Sequence, residues 1–131
     1  MQYAFSSPSY GGFLSDEDIL SSMSTLQTLV HYSLHFLVPG LIAWVFFRQE
    51  WKKVWLIFTL TMVVDLDHLL ADPVFDPKRC SINFHPLHTY YAMAGYFLML
   101  FHPKTRIIGI ALLFHMFTDW QDFLWTKGFK L

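Results

Sequence analysis

Imidazoles and carboxylates recur inside the apolar stretches of this chain, and they gather toward one end of each stretch. His31 and His35 fall in the first stretch, and Asp65, Asp67, His68 and Asp72 in the second. His85 and His88 open the third, while His115, Asp119 and Asp122 lie in the fourth. A charged side chain at membrane depth costs roughly 3 kcal/mol or more, so by default it marks a site. A set made only of imidazole and carboxylate, drawn from four separate segments, points to bound metal.

The stretches cover residues 26–47, 54–71, 86–101 and 106–125. A membrane-crossing helix takes roughly 20 residues, with 17 to 25 tolerated. The first, second and fourth stretches reach that range, and the third does so only if His85 and its neighbours are included. Helices satisfy their own backbone groups in lipid, which an open sheet cannot do. Composition agrees, with 54% hydrophobic, 19% aromatic and 15% charged residues, against roughly 25% charged in an ordinary soluble domain. The expected fold is all-α, an integral membrane four-helix antiparallel bundle with short connections. Residues 1–24, rich in Ser and Gly and then acidic, are expected to form a mobile or interfacial leader. A single transmembrane domain over 25–131 follows. With Asp16, Glu17 and Asp18 and no basic start, the leader does not read as a cleavable signal peptide.

In an up-down-up-down bundle, the start of helix 1, end of helix 2, start of helix 3 and end of helix 4 share one side. All four His/Asp groups fall there, whereas His102 sits at the opposite end as an ordinary interfacial residue. Arg48, Lys52, Lys53, Lys104 and Arg106 lie opposite the site, and Lys78, Arg79, Lys127 and Lys130 beside it. This slight bias places the site on the non-cytoplasmic side. Trp44, Trp51 and Trp55 near one interface, and Trp120 and Trp125 near the other, suit aromatic belts. Pro39-Gly40 predicts a kink whose freed backbone groups are met by neighbours. The net charge of −1 comes with no basic stripe, which argues against a nucleic-acid partner. Cys80, the only cysteine, excludes an intramolecular disulfide and a multi-thiolate zinc site.

Spacing refines the site. His31 and His35 are i, i+4 and project from one helix face. On an α-helix Asp65, His68 and Asp72 share a face, with Asp67 turned about 200° from Asp65. Asp67 would then stand behind a ligand, or become one if the helix unwinds. Pro86 suits a first helical turn, which aligns His85 with His88. His115 and Asp119 are i, i+4, either two ligands or one ligand and its orienting carboxylate. The candidate ligands are therefore His31, His35, Asp65, His68, Asp72, His85, His88, His115 and Asp119, more than one four-coordinate ion uses. Two or more divalent ions are expected, with Zn²⁺ ahead of Fe or Mn.

The order of these segments resembles the LexA-regulated, membrane-bound, predicted metal-dependent hydrolases. An early helical His is followed by Asp65-Leu66-Asp67-His68, a His pair opening the next helix, and His115-x-x-x-Asp119. The likeness spans residues 31–122 and departs in the third segment, where His85-Pro86-Leu87-His88-Thr89 differs in spacing. The resemblance implies a small multi-pass protein of the bacterial inner membrane and hydrolytic chemistry. The expected function is a membrane-embedded metal-dependent hydrolase, acting on an ester or phosphoester of a lipid-like amphiphilic substrate. Metal lowers the pKa of a bound water to about 7, which would supply the nucleophile. His35, His68, His88 and His115 lead the ligand set, with Asp65 and Asp119 as carboxylate ligands. Asp67 is expected as general base or orienter, and Arg79 as a holder of an anionic substrate group. Two alternatives stand: a di-iron-type membrane oxidase or hydroxylase, and a non-enzymatic metal-binding or transport protein. Repeated His boxes are missing for the first. For the second, transport would place ligands at the midplane with a path to both sides. The expected partners are the bilayer and an amphiphilic small molecule, and self-association is left open.

Overall fold

A computed structural model describes residues 16–74 and 80–127, and every regular element among them is helical. The first rod consists of α1 (Asp16–Tyr32), a π turn (Ser33–Leu37) and α2 (Val38–Phe46). The second runs through α3 (Trp51–Leu60) into a 3-10 segment (Thr61–Leu70). The third contains a 3-10 turn (Pro86–His88), α4 (Tyr90–Leu98) and a closing 3-10 turn (Met99–Phe101). The fourth is α5 (Arg106–Thr126). Residues 16–24, expected in the leader, extend α1, and residues 1–15 lie outside the described part.

The departure expected near Pro39-Gly40 is the π turn. Pro39 has no N–H, so the carbonyl four residues back cannot be satisfied in the usual way. The chain widens instead, with the Val38 N–H donating to the Ser33 carbonyl five residues back. The Phe36 carbonyl accepts from the Trp55 indole at 2.9 Å. This contact ties α3 to the first rod, and a Cβ at Gly40 would lie 3.4 Å from the same indole.

Rod four is the hub, touching α1, α3 and α4 as well as the π turn and the 3-10 segment. Its inward stripe is Gly109, Ala111, Leu112, His115, Met116 and Thr118. Only a residue without Cβ fits at Gly109, where a Cβ would sit 2.7 Å from the Tyr96 carbonyl oxygen. That close approach holds the α4–α5 hairpin together. Near the tight turns the interior is apolar, with Ala43, Val54, Phe58 and Ala111 in one cluster. Phe58 meets Phe114 edge-on at 5.8 Å.

The exterior carries the larger apolar groups. Leu37, Phe46, Leu70, Tyr91, Leu98 and Phe101 are 66–90% exposed. Among the described residues one helix, Ser21–Phe46, is long and apolar enough to cross a membrane, with 26 residues and a mean hydropathy of 1.6. Tyr90–Phe101 is apolar but shorter.

Candidate metal centre

The ionisable end of the second rod is wound as a 3-10 helix over ten residues, a long run for that geometry. Three residues per turn sort the segment into three ridges. Val63, Leu66 and Leu69 face outward and are exposed, whereas Thr61 and Asp67 are buried. Asp65 and His68 flank them, half-buried. This corrects the α-helical projection, which turned Asp67 away. The tighter winding brings Asp67 inside.

Asp67 then acts as a fixed acceptor. Its Oδ2 accepts from the Leu87 N–H at 2.8 Å and from His88 Nδ1 at 3.1 Å. Its Oδ1 accepts from His68 Nδ1 at 3.1 Å. With both oxygens engaged and the side chain buried, Asp67 orients histidines and is poorly placed as a general base. The connection before rod three is shaped to match. Asn83, at φ 62°, occupies the left-handed region that Asn tolerates, and its N–H donates to the His88 carbonyl at 2.8 Å. Thr89 caps α4 by accepting from the Ala92 N–H.

With Nδ1–H spent on Asp67, His88 turns Nε2 toward two carboxylates, 3.0 Å from Asp119 Oδ2 and 3.4 Å from Asp65 Oδ1. His115 Nε2 faces the same pair, 3.0 Å from Asp65 Oδ1 and 3.5 Å from Asp119 Oδ2. One ligand atom from each of Asp65, His88, His115 and Asp119 lies within 4.8 Å of all the others. Zinc bonds of ~2.0–2.1 Å in a tetrahedron place neighbouring ligand atoms ~3.4 Å apart, which the four measured separations bracket. Among the described residues, the ion-pair partners of these carboxylates are all histidines. Buried carboxylates need a compensating positive charge, so protons on the imidazoles or a cation between them must supply it. His115 Nδ1 is buried with no hydrogen-bond partner.

Two further groups adjoin this one. His31, His35 and Asp119 form the second, and Asp67, His68 and His85 the third. In the third, hydrogen bonds already engage His68, whose Nε2 faces Ser81 Oγ at 3.0 Å, and His85 stacks on its ring at 3.8 Å. His68 stays a candidate ligand only within this third group, with Asp67 and His85. A cavity of about 460 Å³ opens beside the cluster, with His31, Asp65, Asp119 and Asp122 on its polar side and Met62, Val74 and Phe123 on its apolar side.

The structure thus gathers His31, His35, Asp65, Asp67, His68, His85, His88, His115 and Asp119 at one end of the bundle. Asp72 does not join them. It is exposed beyond the 3-10 segment and belongs to none of the three groups. Arg79 lies outside the described residues. Asp122 stands at the rim, accepting from Gln27 Nε2 at 3.0 Å. Thr118 was not foreseen: its hydroxyl lies 2.7 Å from the His115 carbonyl and 3.0 Å from His35 Nε2. Its place three residues after His115 was the available signal. Cys80, half-buried, belongs to none of the three groups.

Fold and site together define an all-helical bundle with a buried histidine–aspartate cluster at one end. Within that class, the chain belongs to the family of unknown function DUF6122, whose model matches residues 25–126. No curated protein and no solved structure matches it.

Proposed function

We propose that the protein is a membrane-embedded, metal-dependent hydrolase that cleaves an ester or phosphoester of a lipid-like amphiphile. The observation that carries this reading is the convergence of His88 Nε2, His115 Nε2, Asp65 Oδ1 and Asp119 Oδ2 at separations of 3.0–3.5 Å. Two imidazoles and two carboxylates suit Zn²⁺ or Mn²⁺, and their charges balance a divalent ion. Such an ion lowers the pKa of a bound water to about 7. The chain's own residues do the rest. Asp67 keeps Nε2 of His88 aimed inward through its bond to Nδ1, as metal-binding histidines commonly require. Met62, Val74 and Phe123 offer the cavity an apolar wall for an acyl chain. The order of the ligand segments, which resembles that of the LexA-regulated predicted hydrolases outside the third segment, supports the reaction class.

The membrane placement rests on an inverted distribution of polarity. Large apolar side chains cover the outside, and imidazoles and carboxylates fill one end of the interior. Ser21–Phe46 supplies one span of adequate length. The proposal extends the bilayer over all four rods, as a multi-pass bacterial inner-membrane protein with its site on the non-cytoplasmic side.

Elemental mass spectrometry on detergent-purified protein, beside His115→Ala, tests the metal. Stoichiometric zinc or manganese that disappears in the variant, together with release of fatty acid or phosphate from lipid micelles, is the expected result. Protein without metal after purification free of chelators, and unable to take up added Zn²⁺ or Mn²⁺, would overturn the reading.

A further inference from the structure

Asp119 presents its two oxygens to two different sets of imidazoles. Oδ2 faces His88 and His115, as described above. Oδ1 lies 3.5 Å from His35 Nε2. The hydrogen inventory of His35 gives that distance its meaning. His35 Nδ1 lies 2.9 Å from the His31 carbonyl oxygen, which can only accept, so the ring's hydrogen sits on Nδ1. In the neutral ring Nε2 is left with a lone pair. Its neighbours are Asp119 Oδ1 and the Thr118 hydroxyl, whose own hydrogen goes to the His115 carbonyl at 2.7 Å. A lone pair facing a carboxylate oxygen in a buried setting calls for a cation between them.

His31 points to the same place. One ligand atom each from His31, His35 and Asp119 lies within 4.8 Å of the other two, and the two imidazole rings sit 4.4 Å apart. Nδ1 of His31 is buried without a hydrogen-bond partner, and Asp122 Oδ1 is 3.9 Å away, beyond hydrogen-bonding reach. We infer that His31, His35 and Asp119 hold a second divalent cation, with the Asp119 carboxylate bridging it to a cation held by Asp65, His88 and His115. This rests on the metal reading above and adds a division of labour. The inner position has four protein ligands and the outer three, and both border the cavity, which is lined by His31, Asp65 and Asp119. Three protein ligands and an open position are the arrangement of reactive metal sites, and four that of structural ones. The outer ion is therefore the one that meets an oxygen of the substrate.

The test uses Mn²⁺ alone as probe, on the full chain in detergent. Wild type should take up two equivalents and give the electron paramagnetic resonance spectrum of an exchange-coupled pair. His31→Ala, a change at a half-exposed residue, should retain one equivalent with an isolated-ion spectrum, and His35→Ala should do the same. Asp119→Asn, which weakens the bridge while keeping its shape, should lose the coupling. A wild type that binds one equivalent, unchanged in both histidine variants, would overturn the second site and leave the single-metal reading standing. Two equivalents without coupling would overturn the bridge. No binding at all would overturn both readings.

Discussion

The two ends of this bundle are packed on opposite principles. Near the tight turns, Ala43, Val54, Phe58 and Ala111 exclude water from a small apolar cluster. At the other end the buried groups are His35, Asp67, His85, His88 and His115, with Thr118 among them. Contact alone stabilises the first, at about 0.8 kcal/mol per buried methylene. The second is stable only while its charges balance, because a buried carboxylate that loses its partner is left uncompensated. Stability at the apolar end should therefore be indifferent to metal, and stability at the polar end should follow it.

Paired variants offer the hardest test of that contrast. Asp119→Ala removes the acid shared by two groups and should destabilise the protein by about 3–5 kcal/mol in denaturant titration, with loss of bound metal. Phe58→Ala should cost about 3 kcal/mol and leave the metal count unchanged. Equal metal content in the two variants would erase the distinction between the ends. A smaller effect sharpens it. Asp67→Asn keeps the shape but weakens the acceptor behind His88, and should lower metal affinity roughly 10–100-fold in a chelator competition. The smallest lies where the first two rods meet. Trp55→Phe leaves the Phe36 carbonyl without its donor and should cost about 1 kcal/mol, with metal affinity as in wild type. A marked loss of metal there would mean that the π turn, and His35 on it, depends on that indole.

The helical character and the end of each rod at which His and Asp collect were legible because they rest on periodicity and on the cost of burying charge. The winding of residues 61–70 was not. Met62-Val63-Val64 followed by Asp65-Leu66-Asp67-His68 fits a period of 3.6 as readily as one of three, and only tertiary packing selects the tighter form. The choice matters most for Asp67, which α-helical winding turns outward and 3-10 winding buries. Ser81 and Thr118 escaped notice for a different reason. Single hydroxyl residues carry no periodic signal, and their roles depend on which imidazole nitrogen comes within reach. Asp72 shows the converse, since a spacing that places it on a face cannot keep it there once the segment ends at Leu70.

The π turn at Ser33–Leu37 amounts to a surplus residue inserted into an otherwise regular helix. Such a surplus rotates everything before it by roughly 100° about the axis relative to an unbroken α-helix. His31 sits upstream of that phase shift and His35 within it. Their common aim toward Asp119 is therefore a matter of timing along the chain. Delete one residue there and the helix would survive, but its first half would present a different meridian, with His31, and the Gln27 that meets Asp122, turned away from their partners.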